Sequence, residues 1–398
     1  MIDNILDELF SLRTGKRREN IDDLKLIYAL LGKPCNSVKV IHIAGTNGKG
    51  STATFLENIL LEAGYNVGKF TSPHILRYNE RILYNRQMID DGEIVENYFF
   101  LKQMIENCKK ENENLKDIYL NFFEITTFIA LMFFAKKNPD FLVIETGLGG
   151  RLDATNIINS DIALITNITF DHTAILGNSL REIAYEKSGI IKNGELCIYA
   201  DSLPELEEEI NKKTENSVNI IKKYNDMEIE LDKINYRTVI KFQNNKFILP
   251  LFGKFQANNF LLAYETAKFY NIDNETIQNG VNKVYWPARF EFFSVEPSVI
   301  LDAAHNDDSI RKLIENLTEI YKRNEVIVIT SLLATKDFEK VFTKLEKITD
   351  KIFITSLKDT VNGLSSAEIR EKMISLNIPV DGIIFDAKKY KHIFWLSK

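Results

Sequence analysis

The segment Ile41-His42-Ile43-Ala44-Gly45-Thr46-Asn47-Gly48-Lys49-Gly50-Ser51-Thr52 constrains the fold more than any other part of the chain. The β-branched run Val38–Ala44 reads as a buried strand. Ser51–Ala63 follows as a helix, with Leu56, Ile59, Leu60 and Ala63 on one face and Gly64 just past its end. The glycine-rich turn between them lets the backbone come close to a polyphosphate, and free N–H groups at the helix start point towards it. Lys49 can neutralise phosphate oxygens, and the Ser51 hydroxyl can reach a magnesium ion. A serine-capped turn alone would need no lysine. Strand, turn, lysine, hydroxyl and helix together predict a nucleotide site over Thr46, Asn47, Gly48, Lys49, Gly50 and Ser51.

The rest of the pattern agrees with an α/β chain. Val67–Phe70, Phe141–Glu145, Ile162–Thr166 and Leu196–Tyr199 read as further strands of a parallel sheet, and Asn121–Lys137 as a mostly buried helix. After Tyr199 the texture changes. Glu228–Leu231, Arg237–Phe242 and Phe247–Leu249 read as antiparallel strands, followed by helices at Ala257–Tyr270 and Asn274–Val284. Trp286-Pro287-Ala288-Arg289 reads as a hinge, since proline interrupts helix and sheet alike. Strands at Val299–Asp302, Val326–Thr330, Ile352–Thr355 and Gly382–Phe385 then alternate with helices at Asp308–Tyr321, Phe338–Ile348 and Ala367–Leu376, as in a small doubly wound domain. At 398 residues the chain is too long for one ordinary core. The expected domains are 1–285, including the antiparallel segment near 228–250, a hinge at 286–297, and 298–398.

Composition narrows the class. With 45% hydrophobic and 27% charged residues the chain is neither disordered nor fibrous, and a net charge of -6 argues against a nucleic-acid partner. Arg13, Lys16, Arg17 and Arg18 read as a solvated face. Cys35, Cys108 and Cys197 form no C-x-x-C pair, which suggests a reducing compartment. The N-terminus lacks the apolar core of a signal peptide, and no stretch reaches the length of a membrane span, so a cytoplasmic location and no membrane partner are expected.

Several chemically capable residues lie just beyond strand ends, where an open α/β sheet places its ligands. Glu145 ends an apolar run and opens a glycine-rich loop; a carboxylate there can hold magnesium between a nucleotide and an acid substrate, or can cap. Taken alone, Ser72 reads as a turn residue before Pro73, His172 as a helix cap, and Lys187 as a salt-bridged lysine. On the same terms Phe122 and Phe123 read as core, Leu152-Asp153-Ala154 as a turn, and Asp302 with His305 as a strand-end turn.

With Gly50 set between lysine and hydroxyl, G-T-N-G-K-G-S resembles the ATP loop of the Mur ligase superfamily, in particular the folylpolyglutamate synthase/dihydrofolate synthase family. Other segments share the resemblance: Phe70-Thr71-Ser72-Pro73-His74, Asn79-Glu80-Arg81-Ile82, Glu145 to Asn156, Asp171-His172-Thr173 and Glu186-Lys187-Ser188-Gly189-Ile190-Ile191-Lys192. The resemblance implies a P-loop central domain with a parallel sheet and a smaller Rossmann-like C-terminal domain. It implies metal ligands at Ser51, Ser72, Glu145, His172 and Lys187, the last as a carbamate, and catalytic roles for Lys49, Glu145, His172 and Lys187. Acceptor contacts are implied at Phe122, Phe123, Glu124, Leu152, Asp153 and Ala154, and nucleotide contacts at Asn259, Arg289, Asp302 and His305.

Two departures stand out: Phe255 occupies a position where the family usually has histidine, and His392–Lys398 lacks the usual closing segment. The implied activity is ATP- and magnesium-dependent addition of L-glutamate to a folate-type carboxylate, on dihydropteroate, tetrahydrofolate or both, by a monomer. A Mur-type ligase for a cell-wall precursor and an inactive nucleotide-binding homologue are the alternatives.

Overall fold

In the computed structural model of the chain, the aliphatic runs of the first half pair into one eight-stranded sheet. The structure describes residues 2–12, 18–111, 113–331, 338–355, 364–375 and 382–384. The strands are β1 (Lys39–Ala44), β2 (Val67–Phe70), β3 (Ile82–Tyr84), β4 (Gln87–Met88), β5 (Phe141–Glu145), β6 (Ile162–Ile165), β7 (Leu196–Tyr199) and β8 (Ser217–Asn219). Their order is β4-β3-β2-β5-β1-β6-β7-β8. Across the sheet from β2 to β8 every pair is parallel, while β3 pairs antiparallel with both β2 and β4 at one edge. The central strands are buried on both faces by helices, which is why they read as unbroken aliphatic runs and not as alternating ones.

Register decides what gathers at the strand ends. Ile43 lies beside Glu145, Ala44 beside Ile165, and Phe70 beside Ile144. The C-terminal ends of β1, β2, β5 and β6 are therefore level, and the loops that leave them share one edge of the sheet.

The chain divides into two compact units, Met1–Asp226 with Asn258–Lys283, and Met227–Ala257 with Val284–Lys398. The antiparallel segment, expected within the first domain, belongs to the second unit. Its strands are β9 (Glu228–Asp232), β10 (Arg237–Phe242) and β11 (Asn245–Leu249), and the reason is aromatic packing. Tyr236 beside β10 stacks on Phe292 with ring centroids 3.6 Å apart, and Phe252 stacks on Phe290 at 5.3 Å. These rings join the core of the second unit.

The strand expected at Val299–Asp302 also pairs differently. Glu291–Val295 (β12) pairs antiparallel with Ser298–Leu301 (β13), so the latter does not open a parallel sheet as the sequence suggested. Apolar runs flank Glu296-Pro297, and a tight turn folds one against the other. The parallel sheet of this unit consists of β14 (Ile327–Thr330), β15 (Lys351–Thr355) and β16 (Gly382–Ile384) among the described residues. Arg13, Lys16, Arg17 and the ending His392–Lys398 lie outside the described residues.

Candidate active site

The turn after β1 is held open by its neighbours. Gly45 has φ +150 and lies where a Cβ would strike the Thr166 side chain, while Gly48, at φ +88, lies where a Cβ would strike the carboxamide of Asn259. Both positions require glycine. The start of the loop after β6, ahead of the Asp171-His172-Thr173 segment named from the sequence, supplies the scaffold. Thr46 N donates to Asn167 O at 2.8 Å, Asn47 N to Asn167 Oδ1 at 2.9 Å, and Thr166 Oγ1 to Asn47 O at 2.6 Å. These groups sit in Thr166-Asn167-Ile168-Thr169, directly after a strand end, and that position was the available signal.

The helix Lys49–Glu62 begins at Gly48 with Ser51 buried in its first turn. Lys49 bends back over the turn, its ammonium donating to Gly45 O at 3.1 Å and Thr46 O at 3.2 Å. The same ammonium lies 3.8 Å from Glu145 Oε1. Glu145 is only 4% exposed, and its other oxygen accepts the N–H of Ser72 at 3.1 Å. Loop lysine, terminal carboxylate of β5 and Ser72 after β2 thus come together, as the register requires.

Lys187, at the end of the helix Leu180–Ser188, is 4% exposed and donates to Gly45 O at 2.7 Å. It is therefore a wall of the phosphate loop and not a surface lysine. Burial, and then repulsion from Lys49, pull its ammonium down to about 7, against the attraction of Asp171 and Asp153. His172 stands at φ +50 ahead of the short helix Thr173–Leu176, half exposed, with Nε2 3.7 Å from Asp171 Oδ1. Among the described residues no three or more His, Cys, Asp and Glu side chains are grouped to hold a metal ion.

The acceptor candidates divide. Phe122 is buried against Phe10, ring centroids 5.5 Å apart, with the Arg81 guanidinium 5.0 Å from its centroid, so it is largely core. Phe123 is half-buried and closes on Gly147 of the glycine-rich loop. Asn121 and Glu124 form a capping box, and the Glu124 carboxylate also receives Arg18 Nη2 at 3.0 Å. Arg18 came from the basic run read as a solvated face; a long-range partner such as Glu124 leaves no trace in spacing. Leu152 packs on the core, and Ala154 is buried. Asp153 is buried too, with its carboxyl raised by desolvation.

In the second unit, Asp302 accepts the N–H groups of Phe290 at 2.8 Å and Ala304 at 2.7 Å, and burial raises its carboxyl against the pull of Arg289. His305 Nδ1 lies 2.9 Å from Ala303 O, and Arg289 donates to Ala288 O at 2.8 Å. Lys312 sits over the Phe255 ring, 5.6 Å from its centroid, so Phe255 makes a cation–π contact with the helix Asp307–Ile320.

Residues 43–267 match the Mur ligase middle domain, and residues 288–392 match the Mur ligase glutamate ligase domain. Over 348 residues, 84% of this chain and 80% of the other, the sequence is 34% identical to the dihydrofolate synthase/folylpolyglutamate synthase of Bacillus subtilis. The chain belongs to the folylpolyglutamate synthase/dihydrofolate synthase family of Mur ligases.

Another member of the family, the folylpolyglutamate synthase of Lacticaseibacillus casei, is 30% identical and covers 89% of this chain and 85% of its own. Solved structures of the family superpose closely. Escherichia coli FolC in complex with DHPP and ADP has a TM-score of 0.82 at 26% identity, covering 98% of this chain and 90% of that one. The Yersinia pestis bifunctional enzyme complexed with AMPPNP and Mn ion has a TM-score of 0.81 at 25% identity, covering 100% and 94%. No helix among the described residues is long and apolar enough to cross a membrane.

Proposed function

We propose that this chain is an ATP-dependent ligase that joins L-glutamate to a folate-type carboxylate, that of dihydropteroate, tetrahydrofolate or both, acting in the cytoplasm as a monomer. The observation that carries the reading is the approach of Lys49 to Glu145 at 3.8 Å, at the mouth of a glycine-rich turn. A buried carboxylate beside a phosphate-binding lysine brings the two charges that a carboxyl-phosphorylating site needs to one point. The names of the relatives favour a folate acceptor over a muramyl one.

The acceptor carboxylate attacks the γ-phosphorus of ATP, the bond to the bridging oxygen breaks, and ADP leaves with that electron pair. The amine of glutamate then attacks the acyl phosphate carbonyl, loses a proton, and inorganic phosphate departs with the former carboxylate oxygen. Lys49 offsets charge on the phosphates throughout. Thr46, Asn47, Gly48, Gly50 and Ser51 hold the polyphosphate by backbone and hydroxyl, and Asn259, Arg289, Asp302 and His305 are further nucleotide contacts. Phe123, Leu152 and Ala154 face the acceptor, with Phe122, Glu124 and Asp153 setting their positions.

The donor chemistry fits magnesium, because Glu145 is a buried carboxylate whose present countercharge is a lysine ammonium. Ser51, Ser72, Glu145, His172 and a carbamylated Lys187 would hold it, and it supplies positive charge to phosphate oxygens. Lys187 suits carbamylation: lowered to about 7, the amine is substantially unprotonated at neutral pH and can add carbon dioxide with loss of a proton. The carbamate keeps one N–H with which to donate to Gly45 O.

ADP release, measured with dihydropteroate and with tetrahydrofolate, each with and without glutamate, tests the reading. Glutamate-dependent release with at least one acceptor is expected. Turnover with a muramyl substrate alone, or ATP binding without glutamate-dependent release, would overturn it.

A further inference from the structure

His42 is an unusual occupant for the middle of β1. It is 0% exposed in the central strand of the sheet, three residues before Gly45, where the pattern calls for an aliphatic side chain. Burying an imidazole is costly unless it is hydrogen-bonded, and here one ring nitrogen is bonded while Nδ1 is buried with no partner among the described residues. Its Nε2 lies 2.8 Å from Thr155 Oγ1.

The direction of that bond follows from the next one. Thr155 Oγ1 has a single hydrogen and donates it to Asp153 Oδ1 at 2.6 Å. Asp153 is the common acceptor here: the same oxygen also takes Thr155 N at 3.0 Å, and Oδ2 takes Leu148 N at 2.8 Å. The Thr155 hydroxyl must then accept from His42, which fixes the neutral Nε2–H tautomer. Burial agrees, lowering the imidazole to about 3.

A single file of hydrogen bonds therefore runs from β1 through Thr155 and Asp153 to the backbone of the glycine-rich loop after β5. Three charged or polar side chains, each 5% exposed or less, serve it. The strand at one end carries the phosphate loop. The loop at the other end, Gly147–Asn156, includes the Leu152-Asp153-Ala154 segment assigned above to the acceptor.

We propose that His42 is a positioning residue for the folate-type acceptor: by donating to Thr155 it fixes the Asp153 carboxylate and so the shape of the glycine-rich loop that the acceptor meets. This rests on the function proposed above. The relay touches neither reacting atom, so its removal weakens acceptor binding and leaves the nucleotide side intact. Glutamine places a donor near the imidazole Nε2 position, while leucine fills the space without one.

The test is steady-state ADP release by His42→Leu and His42→Gln, with KM measured separately for ATP and for the acceptor that the wild-type enzyme uses. His42→Leu is expected to raise the acceptor KM about tenfold, the size of one lost hydrogen bond to a buried network, with ATP KM within about twofold of wild type. His42→Gln restores most of the acceptor affinity. An unchanged acceptor KM in folded His42→Leu, equal rises in both KM values, or no rescue by glutamine would each overturn the proposal. Where His42→Leu does not fold, Thr155→Val cuts the same relay at nearly constant volume, and the same split is required of it. Wild-type enzyme that fails to turn over any folate acceptor would refute the proposed function instead, so the two failures are distinct.

Discussion

Replacing Gly48 with alanine separates two reasons for glycine at that point. Gly48 has φ +88, and a non-glycine residue in the left-handed region costs about 1–2 kcal/mol. The new Cβ would also strike the Asn259 carboxamide, and Asn259 is buried, so moving it costs a further ~1–3 kcal/mol of overpacking. Gly48→Ala should therefore lose about 2–5 kcal/mol in all. Asn259→Ala removes the obstacle but not the backbone strain. In the double variant the penalty for alanine at 48 should fall back to about 1–2 kcal/mol. Urea unfolding of wild type, both single variants and the double variant, followed by circular dichroism, gives the coupling directly. Favourable coupling of ~1–3 kcal/mol is expected. Coupling within about 0.5 kcal/mol of zero would mean that Asn259 does not lie against the loop, and the geometry argued for the nucleotide site would be wrong.

Lys49→Ala should abolish ADP release with every acceptor; an unchanged rate would remove the loop from the mechanism. Lys187 makes stability depend on pH. Its ammonium is lowered from 10.5 to about 7 in the folded protein, so the unfolded chain holds the extra proton between those values and stability rises with pH across that window. In carbon dioxide-free buffer, the stability advantage of Lys187→Met over wild type should be largest below pH 7 and shrink towards pH 10.5. A difference that stays flat with pH would show that the lysine is not held in a dry site.

Much of this site was legible from residues alone because its parts are local. Ile41 to Thr52 carries strand, turn and helix in one stretch, and Glu145 ends a run whose parallel pairing with β1 brings its carboxylate to the lysine. Partnerships across long separations were not legible. Asn167 bonds to Thr46 and Asn47 from the end of a different strand, and Arg18 reaches Glu124 across more than a hundred positions. The strand pairing that begins within 286–297 was not legible for a related reason. Pro287 and Pro297 mark breaks, but whether Glu291–Val295 turns back on Ser298–Leu301 depends on the apolar surface awaiting it. The antiparallel strands joined the second unit because of Tyr236 and Phe252, whose stacking partners lie tens of residues downstream. His42 looked like one more residue of a buried strand until Thr155 was found beside it.

The fate of the acceptor's carboxylate oxygen tests the central claim most directly. With an acceptor labelled with ¹⁸O in both oxygens of its reacting carboxylate, ATP and glutamate, each turnover should release inorganic phosphate carrying one labelled oxygen, since that atom bridges carbon and phosphorus in the acyl phosphate. Phosphate free of label, formed alongside the amide product, would contradict carboxylate phosphorylation at the Lys49–Glu145 site.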